Sequence, residues 1–183
     1  MKSLGFLVLS CLALEASPRD WTAELRAGAY IPLSSRIQKA YGHGWIEGEA
    51  EFTYQFIPHW RVFGNVNYSR KVNHLYGRHI HIQILPFSAG IKYVFSSGKI
   101  RPYAGLGPSY TFLHLTHFSP TIRKKAYKNR FGFVAKSGVY FDLPRHFLLD
   151  VFFDYYYQKT HFQSGVIADV GGFRTGLGFG YSF

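Results

Sequence analysis

A chain of 183 residues has the length of a single domain, and this one is unusually rich in aromatic and basic residues. Phe, Tyr and Trp make up 19% of the sequence and 19 glycines lie scattered through it, which favours strands and argues against long helices. Lys and Arg number 21 against 10 Asp and Glu, so the formal net charge is +11. The positive charge is not interleaved with a recognisable nucleic-acid-binding fold, so no specific nucleic-acid partner is expected.

The N-terminal residues 1–16 are predicted to be a signal peptide for Sec export. Lys2 supplies a positive charge, residues 4–14 form an apolar run, and Ala16 offers a small-residue cleavage site. The run of about eleven residues is too short to span a bilayer as a helix. A short N-terminal core helix and lipidation of Cys11 are the alternatives. Cleavage after Ala16 would leave residues 17–183 as one cysteine-free domain.

Period-two alternation recurs through the rest of the chain, and no window of about 19 residues is apolar enough for a transmembrane helix. In the last alternating segment Phe179, Tyr181 and Phe183 share one face, whereas Gly178 and Gly180 share the other. Most segments exceed the roughly nine to eleven residues that a tilted strand needs to cross a membrane. They predict eight strands, at 21–32, 44–56, 60–72, 79–95, 100–117, 130–143, 147–158 and 173–183.

The fourth predicted strand changes phase along its length. Ile82 and Ile84 fall on one parity and Ile91 and Tyr93 on the other, so an extra residue is needed between them. Proline within a sheet belongs at a bulge or an edge. We therefore expect a bulge at Pro86.

The connections between the predicted strands alternate in length. The short ones lie at 57–59, 96–99 and 144–146, and the long ones at 33–43, 73–78, 118–129 and 159–172. Tight turns at the periplasmic end and longer loops at the external end are typical of outer-membrane barrels. The sequence therefore predicts an all-β fold, an eight-stranded antiparallel up-and-down transmembrane β-barrel. A soluble lipocalin-like barrel is the alternative, and it would need a polar exterior and an apolar lumen.

Three segments carry motifs beyond simple alternation. They are RPYAGLGPSYTF at 101–112, the turn region at 142–150, and the C-terminal TGLGFGYSF. All three resemble the family of small outer-membrane β-barrels that includes the OmpA transmembrane domain and OmpX. The resemblance implies location in the outer membrane of a Gram-negative bacterium. It also implies a signal for the barrel assembly machinery in the terminal strand, at Phe179, Tyr181 and Phe183. Because the family shares architecture more than activity, no particular chemistry follows.

The polar face of each predicted strand would line the lumen, which in an eight-stranded barrel is just wide enough for side chains. Parity assigns seven acidic and six basic residues to it: Glu24, Glu47, Glu49, Glu51, Asp142, Asp150, Asp154, Arg26, Arg61, Lys92, Arg101, Lys136 and Arg174. Buried charges must be paired, and the near balance of signs allows pairing. We therefore expect an ion-pair network that plugs the barrel. Paired carboxylates in acid–base catalysis and a narrow ion path are the alternatives.

Most of the remaining bases lie towards the predicted external end. One group flanks the second long loop and consists of Arg70, Lys71 and Arg78. The other lies in and directly after the third long loop and consists of Arg123, Lys124, Lys125, Lys128 and Arg130. Their field would attract polyanions, either lipopolysaccharide phosphates of the same cell or polyanions of a host or the environment. The alternative is a solvated rim that only orients the barrel against anionic headgroups. Outer-membrane lipids and lipopolysaccharide are the expected partners.

No metal site or cofactor is expected. His79, His81, His114 and His117 gather near the external end, but no Cys accompanies them and their spacing fits no closed zinc site.

No catalytic site is expected either. His161 and Ser164 superficially resemble the His and Ser of outer-membrane lipid A deacylases. They fall in a predicted loop, at a different spacing and with no evident carboxylate partner. The sequence therefore predicts a structural or surface-interaction barrel, with a lipid-modifying enzyme and a narrow passive pore as the alternatives.

Overall fold

The computed structural model describes residues 21–35, 38–39, 42–75, 78–95, 98–118, 123–161, 167–169 and 171–183. The predicted signal peptide, with Cys11, lies outside these residues. Within them, no helix has the length and apolar character to cross a membrane.

The described part of the chain contains ten strands, and eight of them close into a barrel. In chain order the barrel strands are β1 (Trp21–Pro32), β2 (Trp45–Ile57), β3 (Trp60–Leu75), β4 (Arg78–Val94), β5 (Ile100–Phe118), β6 (Arg123–Asp142), β7 (Phe147–Tyr157) and β10 (Gly172–Ser182). The other two, β8 (Lys159–His161) and β9 (Ile167–Asp169), pair with each other in a separate two-stranded sheet.

Each barrel strand pairs antiparallel with the barrel strands before and after it in the chain, and β10 closes the ring against β1. The closing seam runs from Thr22 opposite Ser182 to Pro32 opposite Gly172. This order confirms the predicted eight-stranded antiparallel up-and-down barrel. The predicted strand ends agree with the observed ones to within one residue, except at the ends of β3 and β6 that face away from the chain termini.

Side chains alternate between a buried lumen and an exposed outer face. On β1 Glu24 and Arg26 are buried, whereas Leu25 between them is 73% exposed. Ile46 is 82% and Leu106 70% exposed on other strands. A wall that buries charges and exposes large apolar side chains is stable where hydrocarbon replaces water around it. The closed ring leaves no unpaired edge within the membrane, so the fold meets the requirement of a lipid-exposed sheet. A lipocalin-like barrel, with its polar exterior, is excluded.

The bulge predicted at Pro86 is wrong. The pairing of β4 with β3 keeps one register on both sides of Pro86, as does its pairing with β5. Ile82 and Ile84 are buried in the lumen, whereas Ile91 is exposed on the outer face. The change of phase in the sequence is therefore a change in what the lumen contains, from apolar to polar side chains. The register shift that is present lies between Gln55 and Ile57, in the pairing of β2 with β3.

On one side of the barrel the strands continue beyond the ring. Pairing of β3 with β2 ends at Ser69 and pairing of β6 with β7 ends at Phe133. Beyond these residues β3, β4, β5 and β6 remain paired with one another. We call this extension the external sheet; it comprises residues 70–75, 78–83, 111–118 and 123–132.

The external sheet corrects two predicted loops, at 73–78 and 118–129. Strands occupy most of both segments, and only 76–77 and 119–122 lie outside the described residues. Cross-strand pairing satisfies the backbone donors and acceptors that loops of this length would otherwise leave to water.

The opposite end of the barrel carries the tight connections. Phe183 N–H donates to the Trp21 carbonyl oxygen at 2.9 Å, and Trp21 N–H donates to the Phe183 carbonyl oxygen at 3.1 Å. His59 and Arg145 take positive φ values of 70° and 61° in the short turns. Short turns and chain termini mark the periplasmic end of an outer-membrane barrel. The external sheet lies at the end opposite these short turns, which in an outer-membrane barrel is the external end.

Candidate functional site

The centre of the lumen is a network of ion pairs around Arg26. Its Nη2 atom lies 2.7 Å from Asp150 Oδ2, and its Nη1 atom lies 3.0 Å from Glu49 Oε1 and 3.2 Å from Asp154 Oδ2. Nη2 also donates a hydrogen bond of 2.5 Å to the Tyr103 hydroxyl. One arginine therefore joins carboxylates from β2 and β7, which lie on either side of the β1–β10 seam.

Two lysines on the opposite wall complete the centre. Lys136 Nζ lies 2.6 Å from Glu49 Oε1 and 2.7 Å from Glu51 Oε2. Lys92 Nζ forms an ion pair with Glu51 and donates a hydrogen bond of 2.9 Å to the Tyr140 hydroxyl. Because Glu49 and Glu51 each accept from more than one cation, the pairs form one connected network.

Arg174 extends this network towards the external end. It forms an ion pair with Glu47, and its Nη1 atom lies 2.9 Å from both Glu49 Oε2 and the Tyr156 hydroxyl. Its Nη2 atom donates to Asn67 Oδ1 at 2.6 Å. Charged and neutral partners together accept four hydrogen bonds from the five donors of the guanidinium.

Eleven of the thirteen residues predicted for the lumen are buried, all except Arg101 and Asp142. Arg101 is half-buried and pairs with Asp142 at the periplasmic rim. Asp142 is exposed at the end of β6, where it keeps the inward parity of Lys136 and Tyr140. Glu24 and Arg61 are buried but form no ion pair with the described residues.

Three tyrosines belong to this site and were not among the predicted residues. The hydroxyls of Tyr103, Tyr140 and Tyr156 each bond a charged side chain of the network. The signal that would have found them is parity, since Tyr103 lies two residues from Arg101 and Tyr156 two from Asp154. They were not predicted because only charged residues were assigned to the lumen.

Above the network, towards the external end, the lumen is packed with apolar side chains. Ile82, Ile84 and Leu113 are buried there, and the rings of Tyr30 and Trp45 lie 4.9 Å apart. The Trp45 indole N–H donates to Ser69 Oγ at 3.0 Å, so its polar atom is satisfied. The buried side chains of the lumen thus differ in chemistry along the barrel, with charged groups at its centre and apolar groups towards the external end.

The eight bases predicted to bind polyanions all lie on the external sheet. They are Arg70 and Lys71 on β3, Arg78 on β4, and Arg123, Lys124, Lys125, Lys128 and Arg130 on β6. The residues of the external sheet include no Asp or Glu. Arg70 is exposed, and Arg130 is half-buried. Seven of the eight occupy β3 and β6, the two edges of the sheet.

The histidines considered for metal binding lie at the same end, as does His161 on β8. His79, His81 and His117 are on the strands of the external sheet, and the His114 ring nitrogen lies 3.4 Å from Gln83 Oε1. Within the part of the chain that the structure describes, no group of three or more His, Cys, Asp or Glu could hold a metal ion. Ser164 lies outside the described residues.

A closed ring of strands, an apolar exterior and a charged lumen together define an integral outer-membrane β-barrel. The chain matches the model of the outer membrane protein beta-barrel domain over residues 4–183, and it belongs to that family. No curated protein matches the sequence.

Solved structures share the fold at low sequence identity. The outer membrane protein OprG from Pseudomonas aeruginosa is 18% identical with a TM-score of 0.65, covering 92% of this chain and 97% of its own. Neisserial surface protein A is 17% identical with a TM-score of 0.59, covering 89% and 96%. Ail of Yersinia pestis, solved with the heparin analogue sucrose octasulfate, is 14% identical with a TM-score of 0.56, covering 90% and 100%.

Proposed function

We propose that this protein acts at the cell surface, as a barrel with a plugged lumen whose external sheet binds polyanions. The ligands have repeated phosphate or sulfate groups, as lipopolysaccharide and sulfated glycans do. The observation that carries the proposal is the charge of the external sheet, with eight bases and no acid. Seven of the ten acids lie on barrel strands outside this sheet, so nothing on it offsets its positive field.

The backbone of the external sheet supports binding of an extended ligand. On β6 five bases occur within residues 123–130, which at about 3.3 Å per residue span roughly 25 Å. Paired strands hold these positions at fixed spacing, so ordering the site costs less conformational entropy than ordering a loop would. The Ail barrel, similar to this one in fold, was solved with a heparin analogue, which is a precedent for a sulfated ligand on such a barrel.

Protection of the sheet edges is the competing explanation for the same charges. Lysine on an edge strand discourages pairing with another chain, and seven of the eight bases lie on edges. The two explanations predict different effects of replacing these bases with neutral residues. The replacement weakens polyanion binding if the charges form a binding site, and it promotes self-association if they only protect edges.

A plugged lumen favours a surface role over the passive pore. Nine charged side chains of the lumen are cross-linked by ion pairs, and apolar side chains pack above them. For the lipid-modifying enzyme, no contact of a described residue favours catalysis at His161 or Ser164.

The test compares two charge-matched double variants of the refolded barrel. Lys124→Gln with Lys125→Gln removes two charges from the external sheet, and Lys99→Gln with Arg145→Gln removes two exposed charges at the periplasmic end. Binding to immobilised heparin and to lipopolysaccharide is measured between about 50 and 200 mM salt, where counterion release makes affinity fall steeply. The external variant should bind more weakly, with a salt slope smaller by about two. The periplasmic variant should bind like the wild type.

Equal affinity and equal salt dependence of the two variants would contradict the proposed polyanion site. Self-association of the external variant on analytical ultracentrifugation, with unchanged heparin binding, would instead establish edge protection.

A further inference from the structure

The lumen has a small polar cavity at the periplasmic end, below the ion-pair network. Its volume is about 190 Å³, and its polar lining comes from Gln55, His59, Arg61, Arg101 and Asp142. This volume corresponds to roughly six molecules of liquid water, so a small ion and part of its hydration shell would fit. The cavity lies at the end opposite the external sheet and has no part in the proposed polyanion binding.

Arg61 is the side chain that makes this cavity unusual. The residue is only 5% exposed, yet its Nε and Nη1 atoms have no hydrogen-bond partner among the described residues. Its Nη2 atom donates to Gln55 Oε1 at 3.2 Å, and its Cζ atom lies 6.0 Å from the centroid of the Tyr140 ring. A buried guanidinium with unused donors is costly unless an anion completes its partners.

The charges around the cavity favour an anion over a cation. Two guanidinium groups, those of Arg61 and Arg101, face a single carboxylate, that of Asp142. Asp142 is already paired with Arg101, whose Nε atom has no partner among the described residues. The buried carboxylate of Glu24 is not part of the cavity lining. The groups that line the cavity therefore carry one excess positive charge and several N–H donors without a partner among the described residues. The Glu24 carboxylate, outside the lining, also acts electrostatically on Arg61.

We propose that this cavity binds a single phosphate group, held by Arg61 and Arg101 with Asp142 as a competing internal anion. A planar guanidinium presents two parallel N–H donors that match two oxygens of a phosphate. The phosphate has two possible sources at this end of the barrel, free orthophosphate of the periplasm and the headgroup of an inner-leaflet phospholipid.

The experiment measures binding of radiolabelled orthophosphate to the refolded full-length barrel in neutral detergent, by equilibrium dialysis at constant ionic strength. The wild type should bind one phosphate per chain, saturably. Arg61→Gln should lose affinity by roughly tenfold or more, which is the effect of one charge-assisted donor group. Arg61→Lys should recover part of it, because the charge stays but the fork is lost. Lys99→Gln, which removes an exposed charge at the same end, should bind like the wild type.

Asp142→Asn tests the proposal in the opposite direction, because it should raise the affinity for phosphate. Its side chain is exposed at the rim, so the barrel tolerates the change, and freeing Arg101 from its internal partner should raise the affinity for phosphate several-fold. This variant decides the proposal even if Arg61→Gln fails to fold. Displacement of the label by added phosphatidylglycerol would identify the lipid headgroup as the source, and binding that the lipid leaves unchanged would identify free phosphate. Absence of saturable binding in the wild type, or unchanged affinity in both Arg61→Gln and Asp142→Asn, would overturn the site.

Discussion

Arg26 on β1 and Asp150 on β7 form an ion pair across the strand that separates them. The Arg26 Nε and Nη2 atoms lie 2.8 and 2.7 Å from Asp150 Oδ2. The strand between them is β10. Its residue Gly178 pairs with Arg26 on one side and with Asp150 on the other. The pair forms because the intervening strand contributes no side chain to the lumen at this point.

Substitution of Gly178 should therefore disturb the network. A Cβ atom at this position would lie 2.8 Å from Arg26 Cγ and 3.2 Å from Asp150 Cβ. Gly178→Ala should lower the free energy of unfolding by about 1–3 kcal/mol, the usual cost of overpacking. The measurement is urea unfolding of the barrel in lipid vesicles.

Gly64→Ala is the matched control, because a Cβ atom there would meet nothing within 4 Å on the outer face. This variant should be neutral or stabilised by up to about 1 kcal/mol. If the two variants unfold at the same urea concentration, Gly178 does not make room for the ion pair.

Removal of the Arg26 guanidinium should cost much more than removal of an exposed charge. Arg26→Met leaves the carboxylates of Glu49, Asp150 and Asp154 with one cation fewer in a buried site. Breaking a buried pair by removing one partner costs about 3–5 kcal/mol. The same unfolding measurement on Lys99→Met, an exposed site, should show a change within about 0.5 kcal/mol. Similar stabilities for the two variants would mean that the lumen charges are solvated rather than paired.

Phe183 should be needed for insertion into the outer membrane. Its backbone closes the seam against Trp21, while its side chain is 46% exposed and lies on the outer face with Tyr181 and Phe179. A side chain exposed in this way contributes little packing, so a strong effect of Phe183→Lys would act through recognition during assembly. Secreted protein should accumulate without the heat-modifiable migration on detergent gels that a closed barrel gives.

Phe95→Lys is the control for Phe183→Lys, because Phe95 is an exposed aromatic residue, 59% accessible, at the same end of the barrel. It should reach the outer membrane at close to normal levels. Normal levels of the Phe183→Lys barrel would contradict an assembly signal in the last strand.

The sequence was sufficient to predict the barrel because alternation within each strand depends only on local spacing. It predicted Glu49 and Lys136 in the lumen by parity, but which cation meets which carboxylate depends on the order and stagger of strands around the ring. Pro86 was misassigned because a uniformly polar lumen was assumed, whereas Ile82 and Ile84 fill its external end. Strand pairing over 123–129 could not be predicted, because a dense run of bases is as compatible with a loop as with an edge strand.

The most direct measurement for a plugged lumen is single-channel recording of the refolded wild-type barrel in planar bilayers, with a larger porin as the positive control. In the plugged lumen that we propose, the ion-pair network around Arg26 and the buried side chain of Ile84 fill the cross-section of the barrel. The wild type should therefore give no unitary current steps under conditions where the porin conducts. Regular, reproducible steps from the wild-type barrel would contradict the plugged lumen and favour the passive pore.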